Sequence, residues 1–335
     1  MDNLRALATL AVIVAHVAYH LLGKFDKSPG TLKTWWIGNI YDSSARFAVP
    51  VFLMITGTLL LGKNIPLGVF IKKRFVRLLS PFLFWSIIYL LYTNNYSSSQ
   101  TFGETVHWIF DRLVNGVSPH LWYMYMLIGI YLVIPIINKW ILNSTKQEIM
   151  FFLAIWALTI IKNIKPLSGL STKIDLSYFS GYLGYVILGY YLSGIQIKES
   201  QAVKIGLCLL AGGTLTTIVG TYYVSLQAGD SDSFYYNLLS PNIVVAGIGM
   251  FLLFKNMKMG TGGLFSKITR IVSQYSYGIY LIHILVLGSL DYFKINGFLF
   301  NPIIGVPLTS IICLAISLLI VWVISKLPYG KYIAG

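Results

Sequence analysis

Residues 303–325 read IIGVPLTSIICLAISLLIVWVIS, twenty-three positions without one charged side chain. As an α-helix the stretch would extend about 34 Å, enough to cross a bilayer core of about 30 Å. Working outward, further apolar runs occur at about 3–22, 45–62, 78–93, 121–138, 149–162, 178–194, 203–225, 241–255 and 275–290. The sequence therefore predicts an all-α, polytopic membrane bundle of about ten transmembrane helices, with residues 1–335 forming a single membrane domain.

Composition agrees. Hydrophobic residues make up 56% of the 335 positions and charged residues only 11%, against roughly 25% charged in a soluble domain whose surface must be hydrated. The net charge of +14 does not point to nucleic acid, because the basic residues fall in short connections between apolar runs, as in cytoplasmic loops. Cys208 and Cys313 both lie inside apolar runs, so no disulfide framework is implied. The first run has no basic segment before it and no small-residue cleavage site after it, so it reads as a retained helix.

The longest polar connections are 23–44, 94–120 and 226–240, the middle one holding an amphipathic stretch from Glu104 to Val114. With both termini placed in the cytoplasm, 16 of the 25 Lys and Arg fall inside but only 3 of the 11 acids. That asymmetry predicts cytoplasmic termini, and an even number of spans agrees.

Ionisable groups inside a span are costly and therefore candidates for function. Arg5 and His16 are eleven residues apart, which on a helix is within about 20° of three full turns and roughly 16 Å along the axis. They share one face, with His20 one turn further on. Imidazole is suited to general base work, although an interhelical hydrogen bond or a water-lined cavity would also account for it. In Lys72-Lys73-Arg74-Phe75-Val76-Arg77, the two arginines are adjacent on a helix face and could grip phosphate bidentately; a topogenic cluster is the plainer reading. Near the opposite surface, Arg46 and His120-Leu121-Trp122-Tyr123 sit at the mouths of two spans, where aromatic faces suit belt anchoring or sugar. Tyr280 and His283 are three apart in the ninth span. No P-loop, Gly-x-Ser-x-Gly or His-Glu-x-x-His is present, and the histidines lack metal-ligand spacing, so no metal is expected. On residues alone, transport remains the alternative, since intramembrane histidines also serve proton relays.

Taken together these residues resemble the membrane acyltransferase-3 family. Its first-helix pattern, a basic residue followed after ten others by His, is similar to DNLRALATLAVIVAH at 2–16. Its Pro-Phe-small-Gly second helix resembles VPVFLMITGTLLL at 49–61, with Thr56-Gly57 where many members have Ser-Gly. The cytoplasmic Arg-x-x-Arg resembles Arg74–Arg77, the Leu-Trp-aromatic segment LWYMYMLIGIYLVIP at 121–135, and the late Tyr-Leu-Ile-His residues 280–283. Within the family the chain looks most like stand-alone bacterial enzymes that O-acetylate surface polysaccharides, such as enterobacterial common antigen. The resemblance implies an inner-membrane O-acyltransferase with acetyl-CoA as cytoplasmic donor and a glycan or lipid-linked sugar as acceptor. It implies donor phosphates at Arg74 and Arg77, with Lys73 beside them and Arg5 positioning the donor. His16 would be general base or acyl carrier, and Arg46, His120, Trp122, Tyr123, Tyr280 and His283 would serve the acceptor side.

Overall fold

The computed structural model describes all residues except 24, 94–100, 162–163, 165–175, 177–178, 180 and 258–261. Regular structure among the described residues is helical. Helix α1 (Asp2–Tyr19) continues through a 3-10 turn to Leu22. Next come α2 (Pro29–Ala45), α3 (Ala48–Leu60), α4 (Leu67–Thr93), the short α5 (Phe102–Asn115) and α6 (Trp122–Asn143). The second half holds α7 (Lys146–Ile161), α8 (Leu183–Gly194), α9 (Glu199–Ala228), α10 (Pro241–Asn256), α11 (Leu264–Tyr292) and α12 (Pro302–Lys326).

Every expected apolar run holds a helix. Eight helical units are long and apolar enough to cross a membrane, with α2 and α3 forming one of them, Pro29–Leu60. The other two, α7 and α8, are apolar but only 16 and 12 residues long; the expected span ends at 162 and 178 lie outside the described residues. The chain is thus an all-α multi-pass membrane protein.

One expectation fails. Residues 23–44 read as a polar connection, but Pro29–Ala45 is helical and runs almost directly into α3. Three of its polar side chains, Asn39, Asp42 and Ser43, are buried rather than hydrated. Asn39 Oδ1 accepts from Ser43 Oγ (2.9 Å) and from Tyr236 (2.8 Å), while its amide donates to the Ile218 carbonyl (2.9 Å). Satisfied internally, such groups can sit at membrane depth without the cost of bare polar atoms.

At the centre is α1, packed against α11, α2, α3 and α12. Around it, close helix pairs are made by small residues. A Cβ added at Gly57 of α3 would lie 1.8 Å from the Val186 carbonyl oxygen, and one at Gly189 of α8 would lie 2.1 Å from the Met54 oxygen. Only glycine lets these two backbones touch, which is how helices pack where lipid supplies no hydrophobic drive. Large apolar side chains such as Leu207, Leu215 and Val219 of α9 are exposed, as a lipid-facing surface requires.

Candidate active site

Five elements enclose the site, one of them α3, which supplies an apolar wall of Val49, Phe52, Ile55, Leu59 and Leu60 together with Thr56. Helix α1 contributes Arg5 and His16, α4 contributes Arg74 and Arg77, and the start of α6 with the 3-10 turn before it (Pro119–Leu121) contributes His120, Trp122 and Tyr123. Helix α11 adds Tyr280 and a polar strip of Ser273, Gln274, Ser276 and Tyr277. All of these line one cavity of about 400 Å³. The spacing argument for Arg5 and His16 holds, since both face it. The Lys72–Arg77 segment is helical, as the pairing of its arginines requires.

The cavity is polar at both ends and differs in kind between them. At one end stand the guanidinium groups of Arg5, Arg74 and Arg77, and at the other His16 and His120. No Asp or Glu lines it among the described residues. Asp2, the nearest acid on α1, instead accepts from Ser273 Oγ at 2.9 Å.

At the far end three of the chain's five histidines converge. The His16 ring centroid lies 5.1 Å from that of His283 and 6.5 Å from that of His120, with the latter two 5.3 Å apart. Hydrogen bonds fix how two of these rings point. His283 Nδ1 lies 2.6 Å from the Tyr280 carbonyl. A carbonyl only accepts, so Nδ1 carries a proton, and in the neutral ring Nε2 is a free lone pair. His120 Nδ1 meets Ser118 Oγ at 3.0 Å, and the Tyr280 hydroxyl donates to the His120 carbonyl. Nε2 of His120 and of His283 is buried with no hydrogen-bond partner among the described residues. Buried unpaired nitrogens are rare in folded proteins and are candidates for function.

Three sequence expectations are placed differently. Lys73 lies outside this cavity and lines a neighbouring one. Arg46 does not line it either; it pairs with buried Asp42 at 2.5 Å and sits 4.3 Å over the Tyr236 ring, because an arginine at membrane depth takes the nearest carboxylate and π-face. His283 backs His16 from α11 without lining the cavity. Tyr131, the tyrosine of a Tyr-x-x-x-Pro stretch ending at Pro135, also lines it, as do Gln274 and Tyr277, which were not singled out as site residues; for Tyr277 the signal available was its place one helical turn before Tyr280.

Comparison with known proteins adds one result. No curated protein and no solved structure gives a significant match to the chain. A model of the acyltransferase domain, however, matches residues 1–325, and the chain belongs to the acyltransferase-3 family of membrane acyltransferases.

Proposed function

We propose that this acyltransferase moves an acetyl or other short acyl group from cytoplasmic acyl-CoA to a hydroxyl of an extracytoplasmic or lipid-linked glycan. The observation that carries the reading is a single cavity with three arginines at one end and His16 at the other. Guanidinium groups suit the phosphates of a thioester donor. The apolar lining, including Phe52, Leu60 and Leu127, suits the uncharged arm that bears the acyl group. In this reading the arginine side, where basic residues are in excess, faces the cytoplasm, and the membrane is a bacterial inner membrane.

In the reaction, His16 takes the proton of the acceptor hydroxyl as its oxygen attacks the thioester carbonyl. The C–S bond breaks, and the departing thiolate recovers the proton from the imidazolium. His283, with Nδ1–H committed to Tyr280, offers Nε2 beside His16 as an acceptor that holds the imidazolium in place. Direct transfer needs only this base. Acyl transfer through His16 itself would leave a histidine that becomes acylated by donor alone. Trp122, Tyr123 and Tyr280 offer aromatic faces to a sugar ring from the histidine end. A polysaccharide like enterobacterial common antigen is one acceptor of this class.

The test is CoA release from acetyl-CoA in proteoliposomes containing bacterial lipid-linked glycans. His16→Ala should abolish release with donor binding retained, whereas Arg74→Ala should mainly raise the KM for donor. Release that survives His16→Ala would remove the base from the reading. A wild type that never binds acetyl-CoA would remove the donor.

A further inference from the structure

Beyond the arginine end of the active-site cavity lies a second one of about 610 Å³, lined by Lys72, Lys73, Arg77, Lys326 and Lys331. Arg77 and Gln274 line both cavities, so the two share a wall. No Asp or Glu side chain lines the second one among the described residues. Its far wall is the segment that follows α12, which folds back onto the bundle. The Ile333 carbonyl accepts from Trp85 Nε1 at 3.0 Å, and Ala334 is buried with its carbonyl oxygen against Gly278 of α11. At Gly330 a Cβ would lie 1.8 Å from the Ile324 oxygen, so the turn closes tightly on the end of α12. Lys326 lies 5.7 Å from the Trp322 ring centre and Lys331 5.1 Å from that of Tyr332. These contacts orient the ammonium groups without neutralising them.

Basic residues at helix ends are common on the cytoplasmic side, where they are usually just solvated. Here five of them line one concavity, drawn from α4, α12 and the folded-back segment, next to the site where the thioester must react. We infer that this second cavity is the subsite for the phosphorylated nucleotide end of the donor, with Lys326 and Lys331 contacting its phosphates. The inference rests on the acyl-CoA reading and deepens it. A nucleotide bearing a diphosphate and a phosphate monoester carries roughly four negative charges at neutral pH, which matches a lining whose charged side chains are all basic. The arm would then enter the first cavity past Arg77 and Arg74.

The alternative source of phosphate is an anionic lipid headgroup. The test uses full-length protein in neutral-lipid nanodiscs, with acetyl-CoA and adenosine 3′,5′-bisphosphate as separate probes. The double variant K326Q/K331Q changes two exposed side chains, and its fold is checked by thermal unfolding. It should weaken both probes about tenfold or more, as loss of two charge-assisted contacts implies, while Arg74→Ala weakens acetyl-CoA but spares the bisphosphate. If K326Q/K331Q binds both probes like wild type while Arg74→Ala still weakens acetyl-CoA, the subsite is wrong and the donor reading stands. If wild type binds neither probe, both fail together. Nanodiscs containing phosphatidylglycerol should bind the bisphosphate unchanged; displacement by that lipid would make the cavity a lipid site and overturn the inference.

Discussion

At the scale of single residues, the contact that most constrains the site is the Tyr280 hydroxyl donating to the His120 carbonyl. It ties α11 to the turn before α6, and so ties His283 and His120 to a common frame around His16. Tyr280→Phe leaves that buried carbonyl unpaired, a loss of about 1–3 kcal/mol. We expect the variant to unfold at lower denaturant concentration and to lose kcat while the KM for donor stays unchanged, because the tyrosine holds the histidine end. A rise in donor KM alone would contradict this division. The pairing of Arg5 with His16, and of Arg74 with Arg77, was legible in the sequence because it depends only on helical spacing within one segment. The meeting of His16, His120 and His283 was not, because each comes from a different element more than a hundred residues from the next. Lys326 and Lys331 read as ordinary flanking charges until the segment after α12 is seen folded back on α4.

At the scale of elements, two features make separate claims. The α3–α8 pair depends on backbone contact at Gly57 and Gly189. Gly57→Ala places a methyl on the Val186 carbonyl and forces the helices apart, an overpacking cost of about 1–3 kcal/mol or more. Gly129→Ala on α6, with nothing within 4 Å of the new Cβ, should be neutral or slightly stabilising. Denaturant unfolding in a fixed detergent would separate them, and equal behaviour would show that the α3–α8 contact is not tight. Helix α5, expected as an amphipathic stretch, forms with a capping box. Glu104 accepts from the Thr101 backbone N–H at 2.7 Å and from its hydroxyl at 2.8 Å. These bonds hold the carboxyl below its ordinary range. A depressed pKa means the cap's contribution is present above the unfolded carboxylate's pKa and is lost as pH falls through the folded value. Amide exchange at the first turn of α5, corrected for intrinsic rates, should therefore quicken as the medium is acidified, and Glu104→Gln should remove that pH dependence. The sequence revealed α5 by its amphipathic period. It concealed α2, because hydropathy registers Asn39, Asp42 and Ser43 as polar without registering that they hydrogen-bond inside the bundle.

At the scale of the whole molecule, hydrogen bonds sort the connections into two groups at opposite ends of α1. Near its start, Asn3 Oδ1 accepts from Thr269 Oγ1 of α11 at 2.6 Å. The α3–α4 turn is likewise joined to the end of α6, Gly62 N–H donating to Asn138 Oδ1 at 2.8 Å and the Asn138 amide to the Lys63 carbonyl at 2.7 Å. Beyond the other end of α1, the Leu22 carbonyl accepts from Ser231 Oγ at 2.6 Å, and that oxygen accepts from Trp35 Nε1 of α2 at 2.9 Å. From Asp2 to Leu22 the helix covers 21 residues, about 31 Å, so the two groups are a bilayer apart. The first group stands at the arginine end of the cavity and the second beyond its histidine end. Orientation then decides which compartment supplies the thioester. On the proposed reading the basic excess puts the first group in the cytoplasm, the compartment from which an acyl-CoA donor would come, so the charge pattern and the proposed chemistry call for the same orientation. With Cys208 and Cys313 replaced by Ala, cysteines introduced singly at exposed Lys63 or Lys139 should resist a membrane-impermeant maleimide in intact cells. They should react once the membrane is opened. Cysteines at exposed Lys27 or Asp230 should react from outside without opening. The reverse pattern would put the arginines outside, where no acyl-CoA exists, and the cavity would have to take a different phosphorylated donor while His16 faced the cytoplasm.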